Sequence, residues 1–162
     1  MDWILGFAAS VIFTLGFWWF SHKIQPTPKF CGYLHKKYFE ILPVKMDGNS
    51  DSLQIGLRLF NERKLLEAQL IFKDILRKEN SDSEAVKYVG ITALRLRKHD
   101  EAIQYFKILA LQKDLFANPD KFYQAITLLQ QLPLNKKEAE ILLKVVIDNG
   151  LEGKEGALKM LK

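Results

Sequence analysis

HDEAIQYF at residues 99–106 and LLEAQLIF at 65–72 stand 34 residues apart, with Glu, Ala and Phe in the same three places. Gly56 and Gly90 are separated by the same interval of 34. A fixed period of this size describes an architecture, because each unit buries its apolar face by stacking on another like itself. The sequence around the two stretches has the spacing of amphipathic helices. SLQIGLRLFNERK (52–64) gives Leu53, Ile55, Gly56, Leu59 and Phe60, and AVKYVGITALRLRK (85–98) repeats the plan. Apolar residues recur at i, i+3, i+4 and i+7, and no alternating strand pattern competes with them. The expected fold class is all-α.

The matched positions resemble the tetratricopeptide repeat, a helix–turn–helix unit of 34 residues. Gly56 and Gly90 match its small residue on the first helix. Ala68 and Ala102 match the small residue of the second helix, and Phe72 and Phe106 the large side chain one turn later. The family's first-helix aromatic is replaced by Ser52 and Val86, and its closing proline by Asn80 and Asp114. KEAEILLKVV (137–146) repeats the second helix with Ala139 and Leu143, but Ala139 lies 37 residues after Ala102. The resemblance implies a short α-solenoid of about three units over 51–80, 83–114 and 119–149. A capping helix is expected over 153–161, since terminal repeats are atypical.

The start of the chain differs in kind. Trp3 to Phe20 runs without a charged side chain, and 18 residues of helix span about 27 Å, near the thickness of a bilayer core. The run ends in Phe17, Trp18, Trp19 and Phe20. That cluster suits a membrane–water boundary better than the small-residue cleavage site of a secretory signal. Residues 1–22 are therefore expected to be a single-pass anchor with the lipid bilayer as partner, and 23–50 a juxtamembrane linker. Pro26 and Pro28 stiffen that linker, and its YLHKKYFEIL stretch (33–42) is too apolar for a solvated spacer. Lys23, Lys29, Lys36 and Lys37 follow the apolar run, which favours the cytoplasm for the repeats. The order of anchor, aromatic segment and repeats also resembles bacterial single-pass proteins related to anti-sigma factors, which carry their repeats outside the inner membrane. Those proteins have a cytoplasmic region before the anchor, and only Met1 and Asp2 stand there in this sequence.

No catalytic arrangement emerges. His22, His35 and His99 are isolated, and Cys31 is the single cysteine. A thiolate metal site or a disulfide within the chain therefore has no second partner. There is no glycine-rich phosphate loop. The chain carries 24 Lys and Arg against 19 Asp and Glu, net +5. Those charges are interspersed rather than gathered in a stripe with aromatics, which argues against nucleic-acid binding. The expectation is no enzyme, no cofactor and no metal.

What remains is a surface. The first helices of the units would line a groove offering Leu53, Gln54, Leu57, Phe60 and Asn61, then Glu84, Lys87, Tyr88, Ile91 and Arg95. This mixture suits a protein or peptide partner with apolar side chains and an acidic group. The reading is a membrane-anchored tetratricopeptide adaptor or scaffold. Its alternative is a receptor or chaperone-like factor delivering client proteins for membrane import or envelope assembly. A third reading has the groove filled by the chain's own YLHKKYFEIL stretch, as in a peripheral subunit of a membrane complex.

Overall fold

The computed structural model describes residues 38–43, 51–79, 82–112, 118–131 and 135–161. Among the described residues there is no strand, and from Asp51 onward seven helices follow one another. They are α1 (Asp51–Asn61), α2 (Leu65–Lys78), α3 (Ser83–Arg95), α4 (His99–Ala110), α5 (Asp120–Gln130), α6 (Lys136–Asp148) and α7 (Lys154–Met160). Each helix packs chiefly on its neighbours in the chain, giving an all-α bundle of three helix pairs closed by α7.

The first two pairs are built alike, and the cause is local. Arg63 and Arg97 adopt left-handed backbone with φ of 64° and 59°. At each, the helix closes in the same way. Lys64 N–H donates to the Leu59 carbonyl at 2.9 Å, and Lys98 N–H to the Ala93 carbonyl at 2.9 Å. This six-to-one bond ends α1 and α3 in a Schellman motif, with arginine where glycine is usual. At the start of α3, the Asp82 side chain accepts from Ala85 N–H at 3.0 Å and satisfies one otherwise orphaned donor.

Within a pair, glycine permits the crossing. A Cβ on Gly56 would stand 2.4 Å from Cε1 of Phe72, and one on Gly90 would stand 2.5 Å from Cε1 of Phe106. The same two phenylalanines then reach the next pair. Phe72 meets Tyr88 with ring centroids 5.4 Å apart, and Phe106 meets Tyr123 at 5.3 Å. Each phenylalanine is thus held between a glycine behind it and a tyrosine ahead, and the 34-residue period is the spacing of the glycine–phenylalanine crossing.

The third pair departs from the plan. Phe122 on α5 faces the cap, where a Cβ on Gly153 or Gly156 would come within 2.3 or 2.5 Å of its ring. Gly153 also has φ +90°, which side-chain-bearing residues rarely adopt.

The anchored solenoid expected from the sequence is corrected in one respect by these helices. Among the described residues, no helix is long and apolar enough to cross a membrane. The longest, α2, has 14 residues, about 21 Å of rise against a hydrocarbon core of about 30 Å. Its outer side also carries Lys73, Asp74, Arg77 and Lys78. The single-pass topology, the bilayer as partner and the cytoplasmic placement of the repeats therefore have no support from the helices described. The Trp3–Phe20 run lies outside the described residues.

Candidate functional site

The first helices of the three pairs share one face, and the chain's own residues 38–43 lie on it. Six residues touch all three helices. Tyr38 packs edge-on against Phe122 of α5 at 5.1 Å between centroids, and Phe39 does the same against Tyr123 at 5.3 Å. The Phe39 carbonyl accepts from Arg95 Nη1 of α3 at 2.7 Å. Leu42 is gripped on both sides of its peptide by Asn61 of α1. Its N–H donates to Asn61 Oδ1 at 2.9 Å, and its carbonyl accepts from Asn61 Nδ2 at 3.0 Å. The segment thus runs from the third pair towards the first, opposite to the order of the helices.

Phe39 and Leu42 are buried, whereas Ile41 between them is 73% exposed. Two side chains are therefore read by the bundle and one points to solvent. Burying Phe39 and Leu42 contributes about 3–6 kcal/mol, and the three hydrogen bonds about 2–4 kcal/mol. Ordering six residues of backbone costs about 6–12 kcal/mol. These terms nearly balance, and the Tyr38 ring against Phe122 adds to the hold.

Each residue expected to line a groove can now be placed. Leu53, Leu57, Phe60, Tyr88 and Ile91 are buried members of the common core. Asn61 and Arg95 hold the segment's backbone, and the Arg95 guanidinium also lies over the Phe60 ring, 5.5 Å from its centroid. Lys87 stands 4.7 Å from the Tyr88 centroid and pairs with Glu84 at 3.6 Å. Gln54 is half-buried, and its Oε1 is shielded from solvent without a hydrogen-bond partner among the described residues. Of the expected groove residues, Asn61 and Arg95 hold the segment, and Leu53, Leu57, Phe60, Tyr88 and Ile91 share one core with its Phe39 and Leu42.

Sequence reasoning passed over Phe122 and Tyr123, the aromatic seats on α5. The available signal was their adjacency in KFYQAITLL (121–129), a stretch more continuously apolar than a half-exposed helix requires.

Burial sets the electrostatics of this face. It pushes the Tyr88 hydroxyl up to about 12, with Glu84 and Asp82 adding to the effect. It raises Tyr123 as well. Both phenols are neutral under ordinary conditions and act as apolar walls. Arg95 is lowered first by burial and then by Arg63, while the Glu40 carboxylate acts in the opposite direction. Arg95 therefore feels a second guanidinium and the one carboxylate that the segment supplies. Among the described residues, no group of three or more His, Cys, Asp or Glu is arranged to hold a metal ion.

Comparison with family models, with curated proteins and with solved structures finds no match. The resemblance to the tetratricopeptide family is accordingly corrected. The repeated glycine, alanine and phenylalanine positions reflect the close crossing of two helices, a packing requirement that does not establish membership. The readings that depended on that family and on an anchor, the membrane-bound adaptor and the import or envelope-assembly receptor, fall with it.

Proposed function

We propose that this chain is a non-catalytic protein-interaction module whose shared inner face accepts a short segment of polypeptide. The observation that carries the reading is the main-chain grip. Asn61 takes both the N–H and the carbonyl of Leu42, and Arg95 takes the carbonyl of Phe39. Main-chain bonds of this kind provide affinity for any segment of suitable shape, while side-chain pockets select among sequences. Here the pockets are the aromatic seats on α5 and the apolar bed formed by α1 and α3.

The test is direct. In a full-length Phe39→Ala/Leu42→Ala variant, the chain's own segment loses both buried side chains while the receiving face is unchanged. A fluorescent peptide of sequence KKYFEILP should bind this variant by anisotropy. Adding Arg95→Ala should weaken binding about tenfold, the expected loss of one hydrogen bond from a charged donor. A folded variant that binds no peptide, or binds equally well without Arg95, would remove the basis for the reading.

A further inference from the structure

Three observations on the seated segment define what else can take its place. Its two buried side chains are an aromatic and a leucine three positions apart, with the exposed Ile41 leaving one intervening position unread. A tyrosine precedes the buried phenylalanine and finds its own aromatic seat on Phe122. Between the buried anchors, Glu40 directly follows the Phe39 carbonyl that Arg95 holds at 2.7 Å, and its carboxylate acts on that guanidinium. From these features we infer that the natural occupant is a partner protein's segment of the pattern aromatic–aromatic–acidic–any–leucine. We further infer that it binds by displacing Tyr38–Pro43, which serves as a tethered competitor. The inference rests on the protein-binding reading above and names the partner's chemistry and the control of that site.

Displacement is physically accessible because the segment's hold is local. It leaves behind the buried Phe39 and Leu42 side chains, the Tyr38 ring contact with Phe122 and the hydrogen bonds to Asn61 and Arg95, while the glycine–phenylalanine crossings of the first two pairs and the Phe72–Tyr88 contact do not involve it. Contacts of this size open well below the free energy of global unfolding. Seven residues, 44–50, separate the segment from α1 in the sequence, and a segment of the same chain competes at an effective concentration of about millimolar. A second copy of the chain offers only the same six residues without that advantage. A successful competitor must add contacts of its own, which a different protein can supply. The competition also sets a threshold, since weak segments of the right pattern remain excluded.

The experiment uses the full-length wild-type chain, so no substitution can compromise folding. Hydrogen exchange is followed at the Leu42 amide, with two synthetic peptides added in turn. One is KKYFEILPVK, and the other is the same peptide with Glu40→Lys. Millimolar KKYFEILPVK should accelerate Leu42 exchange about fivefold or more while α3 stays protected, as expected when one state is replaced by another. The lysine peptide should need about tenfold more material, corresponding to loss of one charged contact. Unchanged Leu42 exchange, with the peptide shown to bind the Phe39→Ala/Leu42→Ala variant, would overturn displacement and leave the protein-binding reading intact. Equal action of the two peptides would overturn the acidic requirement. Dimers that grow with protein concentration while Leu42 stays protected would replace the partner protein by a second copy. No binding to either form of the chain would defeat the protein-binding reading itself.

Discussion

Helices α3 and α4 are neighbours of nearly equal length, yet nine residues of α3 are buried and only three of α4. The same contrast separates α5, with eight buried residues, from α6, with three. An outer helix packs on inner helices with one stripe and leaves the rest in water. An inner helix has an outer helix before it, another after it, and residues 38–43 along its remaining side. The buried inner threonines show the consequence. Thr92 and Thr127 donate to the carbonyls of Tyr88 and Tyr123, four residues earlier, at 2.6 and 2.8 Å. With no water at hand, each hydroxyl must find its partner within its own helix. The outer side solves a different problem with charge. Lys73 pairs with Glu101 across the first two pairs, and Lys98 reaches Gln69 at 3.0 Å. The Lys73–Glu101 pair is partly exposed, so its contribution is at most about 1 kcal/mol.

The largest test of this contrast sets two fully buried phenylalanines against each other. Phe106→Ala should lower the unfolding free energy by about 3–5 kcal/mol, since it empties the contact between two pairs. Phe39→Ala should cost less than half as much in urea denaturation followed by helix signal, because the segment can leave while the helices remain. Equal losses would make the segment an integral part of the core and erase the distinction. A smaller effect is expected at the crossing itself. Gly90→Ala places a methyl 2.5 Å from Phe106 Cε1, and overpacking of this kind costs about 1–3 kcal/mol. A neutral result would show that the outer helix shifts freely against the inner one.

The smallest effect concerns a charge on the buried side. Burial raises the Asp120 carboxyl above its ordinary value, with Lys121 opposing at 3.5 Å. The native state therefore holds that proton more tightly than the unfolded chain does. The Asp120 contribution to stability falls as pH rises from the usual carboxylate value through the raised one. Asp120→Asn should accordingly gain up to about 1 kcal/mol near neutral pH and nothing below about pH 3, measured as paired denaturation curves. A larger gain at low pH would reverse the sign and place Asp120 among the stabilising charges.

Much of the helical framework was legible in local patterns. The 34-residue spacing of Gly56 with Gly90 and of Phe72 with Phe106 anticipated the close crossings, because a small residue facing a large one is a constraint that one pair of helices imposes on itself. The family name drawn from those residues was not legible, since the same constraint arises wherever two helices approach closely. The inner face was read only in part. Leu53, Leu57, Phe60, Tyr88 and Ile91 were recognised as sharing a face, but their cover was not fixed by anything in α1 or α3. The excess of apolar residues in YLHKKYFEIL signalled burial, and filling this face was one of the readings it left open. Phe122 and Tyr123 escaped notice because the third pair lacks the glycine that marks the other two, and its aromatics serve the cap and the segment instead.

The sequence by itself determined where helices form, where they turn and which side chains meet within a pair. These outcomes depend on periodicity, on the Asp82 cap and on contacts between residues less than 20 positions apart. Only the tertiary structure decided that residues 38–43 cross all three pairs and reach residues as distant as Tyr123. That choice follows from the joint shape of three helices brought together by stacking. A surface that exists only after assembly leaves no periodic trace in any one of them.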